Sequence, residues 1–203
     1  AEAVLAVKSV LVDLNDAAAT LPNSYNSVEN ITPLETPLSS TINGAALATP
    51  VFLSLYAEND LRLDKYFAET DEKGFRKNKK AGSNNYLCTF RVGEIYLTAA
   101  EAAARLGELS QARTRLLELM RKRYAPEAYE AKSVVVNAMD KEALVQEILD
   151  ERARELAFEG HRWFDLRRST RPRLEKVLDG TRYVLEENDA RYTLAIPKEA
   201  KIG

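Results

Sequence analysis

Residues 151–168 read ERARELAFEGHRWFDLRR, and this stretch of acids, bases and aromatic residues indicates the fold more clearly than any other part of the chain. The apolar residues of the same predicted helix recur at helical spacing and define one stripe: Leu144, Val145, Ile148, Leu149 and Leu156. At about 100° per residue, Arg152, Glu155 and Glu159 point into that stripe. The sequence therefore predicts charged side chains on the buried face of this helix.

These charges need partners, because an isolated buried charge costs several kcal/mol. Glu155 follows Arg152 by three positions and precedes Glu159 by four, so the three side chains share one helix face. Two carboxylates require a second cation, and Arg162 or Arg154 is near enough in the sequence to supply it. We predict a structural ion network of Arg152, Glu155, Glu159 and Arg162.

The composition is that of a globular protein without a strong overall charge. The 203 residues are 45% hydrophobic and 30% charged, which suffices for a sizeable core. A formal net charge of -2 gives no general attraction for nucleic acid, so no nucleic-acid partner is expected. The single cysteine rules out an internal disulfide framework.

A helical hairpin is predicted over residues 91–122. Two apolar stripes flank Gly107, which is placed to cap the first helix in a left-handed conformation. Alanines at the crossing positions allow close helix approach, as in tetratricopeptide units, although a generic αα-hairpin is an equal alternative. Further along, Asp140 is placed to cap the helix that leads into residues 151–168.

The remaining segments carry weaker patterns. Residues 1–19 have the periodicity of an amphipathic helix, while residues 20–50 contain four of the seven prolines and predict a long loop. Residues 70–86 are polar and predict an exposed loop. Short strands are expected at three places, of which the last two pair as a hairpin: residues 133–136, 183–185 and 192–196.

Residue types that carry catalysis are scarce. His161 is the single histidine and has no second ligand at metal spacing, so neither a metal site nor a histidine-based nucleophile is expected. Glu155 and Glu159 form the one carboxylate pair worth testing for glycoside hydrolysis. Arginines beside them would lower their pKa values, whereas a glycosidase acid needs a raised pKa, so we predict no catalytic residues and no cofactor.

Non-catalytic sugar binding asks for less. It needs an aromatic face to stack on the ring and amides for the hydroxyl groups. Both predicted loops combine tyrosine with asparagine, and the alternative is that these tyrosines cap the edge of the core. The candidate glycan-binding residues are Asn23, Tyr25, Asn26, Asn84, Asn85 and Tyr86.

Three segments resemble the C-terminal part of the SusD/RagB family of bacterial surface nutrient-binding lipoproteins. Residues 91–97 (RVGEIYL), followed by Ala100-Glu101-Ala102, are similar to a family helix pattern. Residues 151–168 resemble the family's most recognisable block, and residues 196–199 (IPKE) resemble its terminal segment. The resemblance extends from about residue 53 to residue 202.

The resemblance implies a mainly α, SusD-like fold with tetratricopeptide-like helix pairs, long irregular loops and a small β-hairpin. It implies one domain over residues 1–203, the C-terminal portion of a longer architecture. The implied function is non-catalytic binding of an oligosaccharide or polysaccharide for a SusC-type TonB-dependent transporter. The implied location is the outer-membrane surface, through a lipid anchor absent from this chain. A helical module that binds a peptide or the transporter itself is the alternative, and a carbohydrate-active enzyme is the third.

Overall fold

Helices dominate the described part of the chain, which comprises residues 1–24, 26–34, 47–80 and 88–193 of the computed structural model. The helices are α1 (Glu2–Val7), α2 (Pro50–Leu53), α3 (Arg62–Tyr66), α4 (Val92–Leu106), α5 (Leu109–Met120), α6 (Pro126–Ala138), α7 (Lys141–Glu155) and α8 (Arg162–Arg168). The strands are β1 (Asn30–Leu34), β2 (Leu47–Ala48), β3 (Phe67–Thr70), β4 (Arg76–Asn78), β5 (Cys88–Arg91), β6 (Leu174–Leu178) and β7 (Thr181–Leu185). The chain divides into two compact units, Ala1–Gly160 and His161–Gly203.

Helices α4 and α5 confirm the predicted hairpin. Gly107 ends α4 at φ 88°, and its N–H donates to the carbonyls of Ala103 and Ala104. Ala103 on α4 and Ala112 on α5 are buried in the same core, and such small residues allow two helices to pack closely. Helix α4 also packs against α7, so it lies between two helices in the core.

Helix α7 begins at the predicted cap and carries the charged block inward. The Asp140 carboxylate accepts a hydrogen bond from the N–H of Ala143 at 2.9 Å, which confirms the cap. Leu144 and Ile148 are fully buried in the same core as α4. The regular helix ends at Glu155, and a turn through Gly160 at φ 85° closes the first unit.

The predicted helix over residues 1–19 is wrong beyond Val7, where α1 ends. The following backbone bonds to other parts of the chain instead of to itself. The N–H of Val12 donates to Glu29 Oε1 at 2.9 Å, and its carbonyl accepts from Arg123 Nη1 at 2.6 Å. These tertiary hydrogen bonds outweigh the local helical pattern.

The two predicted loops contain short strands. Within residues 20–50, β1 pairs antiparallel with β5, and β2 pairs with β4. Within residues 70–86, β4 pairs with β3 across a turn in which the Asp71 carboxylate accepts from the N–H groups of Lys73 and Phe75. Residues 25, 35–46 and 81–87 lie outside the described residues.

The predicted strand at residues 133–136 is wrong, because these residues belong to α6. Pro126 occupies the first turn of that helix, and Glu127 follows it there. Val136 is fully buried in the core, so burial of one helix face outweighs the strand propensity of the valines.

In the second unit the predicted hairpin has a different partner. Tyr183 lies in β7 as expected, but β7 pairs with β6 across the two-residue turn Asp179-Gly180. Both turn residues have positive φ, 48° and 74°, as a type I′ turn requires. Tyr192 ends a short 3-10 helix over Ala190–Tyr192, and residues 194–196 lie outside the described residues.

Candidate functional site

An ion network is buried in the first unit. Within the described residues, its most buried part joins five cations to five carboxylates, each at most 5% exposed, and at its edge Arg154 also contacts the partly buried Glu147. Equal numbers of each sign leave no net charge to desolvate, which is the condition under which buried ions are tolerated. The members are Arg62, Lys80, Arg91, Arg123, Arg154, Glu29, Asp60, Glu151, Glu155 and Glu159.

Glu155 on α7 contacts three arginines from three other segments. Arg91 Nη1 donates to its Oε1 at 2.6 Å, and Arg62 Nη1 donates to its Oε2 at 3.1 Å. Arg123 donates to both oxygens, each at 2.9 Å. Burial disfavours the charged carboxylate, but the attraction of Arg123 and Arg91 outweighs burial and holds the pKa of Glu155 well below its usual range.

Glu29 adds a second carboxylate between two of these arginines. Arg123 Nη2 donates to its Oε1 at 2.6 Å, and Arg91 Nη1 donates to its Oε2 at 3.1 Å. Gly93, in the first turn of α4, lies against this junction. A Cβ at that position would stand 2.5 Å from Arg91 Nη1 and 3.0 Å from Glu155 Oε1, so a larger residue there would force these network side chains to shift.

Arg62 on α3 forms the next part of the network. Its Nε and Nη2 donate to the two oxygens of Asp60, each at 2.8 Å, while its Nη1 donates to Glu151 Oε1 at 2.6 Å. The Tyr124 hydroxyl and Arg154 Nε donate to the other oxygen of Glu151, at 3.3 and 2.8 Å. Burial opposes ionisation, but Arg62 and Arg154 lower the pKa of Glu151 to about 2.

Lys80 is the network cation that directly precedes residues 81–87. Its Nζ donates to Glu159 Oε1 and to the carbonyls of Glu155 and Ala157, the last two at 2.5 and 3.3 Å. These acceptors lie at and just beyond the C-terminus of α7, where helix carbonyls lack intrahelical partners. Burial lowers the pKa of Lys80 to about 8.

The four residues of the predicted network occupy different environments in the structure. Glu155 and Glu159 both belong to the network, and so does Arg154. Arg152 is buried and donates to Thr98 Oγ1 at 3.3 Å. Arg162 is exposed on α8 in the second unit.

Sequence reasoning missed the cations that contact Glu155. Arg123, Arg91 and Arg62 stand 32, 64 and 93 positions away from it. Helical periodicity relates residues three or four positions apart and carries no information over such separations. The inward register of Glu155 and Glu159 predicted that both need cations, and of the nearby arginines named for that role Arg154 belongs to the network.

The candidate glycan-binding residues divide into described and undescribed positions. Asn26 is exposed, whereas Asn23 is 1% exposed and its Oδ1 accepts no hydrogen bond from the described residues. In this conformation Asn26 presents its amide to solvent and Asn23 does not. The other candidates lie outside the described residues: Tyr25, Asn84, Asn85 and Tyr86.

The carboxylates of the network are poorly suited to proton transfer. Glu155 and Glu159 are buried, and their arginine and lysine partners lower both pKa values despite the cost of burial. A general acid for glycoside hydrolysis needs a raised pKa and access to substrate. In the described ranges, no three His, Cys, Asp or Glu side chains are grouped as metal ligands.

The helical hairpin, the buried ion network and the interspersed short hairpins define a mainly α protein of the SusD-like fold. The sequence profile of the SusD family matches residues 45–198, and the chain belongs to that family. None of the helices in the described part of the chain has the length and apolar character that a membrane crossing requires.

A solved structure shares this fold: that of a SusD-like carbohydrate binding protein from Bacteroides vulgatus ATCC 8482. The TM-score is 0.66 at 18% sequence identity, and the likeness covers 98% of this chain and 52% of that one. This chain therefore corresponds to about half of that protein. A comparison with curated proteins finds no match.

Proposed function

We propose that this chain binds an oligosaccharide or polysaccharide without altering it. The observation that carries the proposal is membership of the SusD family over residues 45–198. The similarity in fold to a SusD-like carbohydrate binding protein supports it. The glycan would be held at the bacterial outer-membrane surface and passed to a SusC-type TonB-dependent transporter.

The proposed glycan site is formed by the loop segments 20–50 and 70–86. The network supports this choice because it fixes the chain next to both groups of candidate residues. Glu29 follows Tyr25 closely and accepts from two buried arginines, and Lys80 and Arg91 stand on either side of Tyr86. Loops held at their bases by a rigid scaffold are where binding residues concentrate in proteins.

Absence of catalysis is part of the proposal. The carboxylate pair that a hydrolase would need is buried and held ionised by arginines. Sugar binding instead requires exposed aromatic and amide groups, with no cofactor. Exposed Asn26 fits that description.

Isothermal titration of the purified chain against a panel of plant and host oligosaccharides tests glycan binding. We expect saturable heat with at least one member of the panel and no release of reducing sugar from it. No heat of binding with any glycan, together with co-purification of a SusC-type transporter, would instead favour a protein-interaction module. Reducing-sugar release that depends on Glu155 would favour an enzyme.

Delivery to the transporter requires a separate test. We expect the chain to co-purify with a SusC-type transporter when the two are expressed together in an outer membrane, and a lipid anchor to hold the complete protein there. Failure to co-purify would remove delivery from the proposal but leave glycan binding intact.

A further inference from the structure

A cleft separates α6 from the turn that precedes α3. Its volume is about 460 Å³, and its lining residues all belong to the first unit and to neither of the segments proposed for glycan binding. One wall is the turn over residues 57–59, and α6 with Tyr124 forms the other wall and the floor. The lining residues on that second side are Tyr124, Glu127, Ala128, Ala131, Lys132 and Val135.

Backbone pairing makes the cleft rigid. Asp60 forms a β-bridge with Tyr124, and the N–H of Ala125 donates to the carbonyl of Asn59 at 3.1 Å. Asn59 in this turn has a left-handed φ of 65°, which asparagine tolerates better than most residues. The Tyr124 hydroxyl donates to buried Glu151, so the floor is attached to the ion network. A partner entering this cleft meets a preformed surface.

On the α6 side of the cleft, apolar side chains are exposed to solvent. Val136 is the fully buried residue of α6, which is described along its whole length. Val135 faces the cleft and is 53% exposed, and its neighbour Val134 is 70% exposed. Val135 lines the cleft together with Ala128 and Ala131, so this side offers a small apolar surface to a partner.

The rim of the cleft is acidic. Glu58 and Glu127 stand on opposite walls, and neither forms an ion pair with the described residues. Lys132 pairs with Glu147, 3.0 Å from Nζ to Oε1, an oxygen that Arg154 Nη2 also contacts at 2.6 Å. Glu58 and Glu127 outnumber Lys132 at the rim, so the rim is acidic beside the apolar side chains of α6.

We propose that this cleft binds a polypeptide segment of a partner protein that combines apolar side chains with lysine or arginine. The apolar side chains would cover Ala131 and Val135, and the basic ones would meet Glu58 and Glu127. A sugar fits less well, because Tyr124 is 1% exposed and offers no open ring face for stacking. The proposal does not depend on glycan binding elsewhere in the chain.

Fluorescence anisotropy with two labelled peptides tests the proposal. Both carry leucine at helical spacing; one fills the remaining positions with lysine and the other with glutamate. We expect the lysine peptide to bind at least about tenfold more tightly, because like charges across an interface are disfavoured. The double variant Glu58→Lys/Glu127→Lys should reverse that preference.

Two further variants separate the cleft from general charge attraction. Ala131→Trp, at an exposed position, fills the cleft without changing its charge and should weaken the lysine peptide by about tenfold or more. Glu69→Lys/Glu72→Lys makes the same charge change at exposed positions elsewhere and should leave the preference intact. Circular dichroism verifies that each variant is folded.

Three results would overturn the proposal. The first is equal binding of both peptides, and the second is equal loss in the cleft and control charge variants. The third is displacement of the peptide from the unaltered chain by an oligosaccharide, which would make the cleft a sugar site.

Discussion

Arg91 holds the carboxylate of Glu159 with two parallel hydrogen bonds, Nε to Oε2 at 3.0 Å and Nη2 to Oε1 at 2.9 Å, across 68 positions of sequence. Its Nη2 also donates to the carbonyl of Glu155 at 2.9 Å. One guanidinium thus joins the end of β5 to the end of α7. The bidentate geometry fixes orientation as well as charge, so the network positions segments and does more than neutralise them.

Removing the central carboxylate should be costly. Glu155→Ala leaves three arginines, Arg62, Arg91 and Arg123, without a shared acceptor. We expect the free energy of unfolding to fall by about 3–5 kcal/mol, because uncompensated buried charges remain. Urea unfolding followed by circular dichroism measures this change.

Glu142→Ala is the matched control, because Glu142 is an exposed residue of the same helix. It should cost less than about 1 kcal/mol, the upper range for an exposed acid in a first helical turn. An equally small effect of Glu155→Ala would show that the network does not hold the scaffold together.

Arg91→Lys should destabilise the protein although it preserves charge. Lysine cannot reproduce the paired contact with Glu159 and the further contacts with Glu155 and Glu29. The expected loss is about 2 kcal/mol, since buried acceptors lose charged donors. Arg105→Lys, at a half-exposed arginine on α4, should change stability by less than about 0.5 kcal/mol, and equal losses in the two variants would argue against the geometric role.

Gly93→Ala separates packing from helix propensity. Propensity alone would stabilise a helix by about 1 kcal/mol. The added Cβ would stand 2.5 Å from Arg91 Nη1, so we expect instead a loss of about 1–3 kcal/mol, measured as a lower midpoint in urea. A gain in stability would mean that the arginine moves aside freely.

Gly107→Ala gives a useful comparison. A Cβ there meets nothing within 4 Å, but φ is 88°, so its cost of about 1 kcal/mol comes from backbone strain alone. Shortening Arg91 should reduce the loss of stability caused by Gly93→Ala but not that caused by Gly107→Ala.

Acid should weaken the fold through the same carboxylates. The pKa of Glu151 is about 2 in the folded protein against an ordinary value of 4.5, and those of Glu155 and Glu159 are also lowered. A carboxylate whose pKa is lowered by folding stabilises the protein at pH values above its ordinary pKa. This contribution is lost as the pH falls through the pKa of the folded state. We expect the free energy of unfolding to decrease from about pH 5 towards pH 2.

Thermal melts at a series of pH values measure this dependence. Lys80, with a pKa of about 8, stays charged throughout the acid range and does not contribute to it. The slope should be smaller in Glu151→Gln than in the unaltered chain, and identical slopes would assign the acid sensitivity to other carboxylates.

Local patterns predicted those parts of the fold whose interactions are local. The hairpin around Gly107 and the Asp140 cap depend on contacts within a few residues, and the structure confirms both. The type I′ turn at Asp179-Gly180, which pairs β7 with β6, is also local, but it was not predicted, and residues 183–185 were expected to pair with residues 192–196 instead.

Local sequence patterns do not predict contacts between residues that are far apart in the sequence. The helical pattern of residues 1–19 is overridden beyond Val7 by hydrogen bonds to Glu29 and Arg123. The inward register of Glu155 predicted that it needs cations, but no local pattern could identify Arg62 or Arg91 among them. The candidate glycan loops carry no periodic pattern, so their role remains a prediction.

Loop tyrosines should affect binding and leave stability unchanged. The double variant Tyr25→Ala/Tyr86→Ala removes the proposed stacking faces, and the ion network beside both loops keeps all of its charged members. We expect at least about tenfold weaker glycan binding. The melting temperature should stay within the error of the unaltered chain.

Isothermal titration of the unaltered chain and the Tyr25→Ala/Tyr86→Ala variant, against the same oligosaccharide, tests the central claim most directly. The account predicts saturable binding by the unaltered chain and at least about tenfold weaker binding by an equally stable variant. Equal affinity in the two proteins would contradict the placement of the site. No binding of any glycan by the unaltered chain would contradict the proposed function itself.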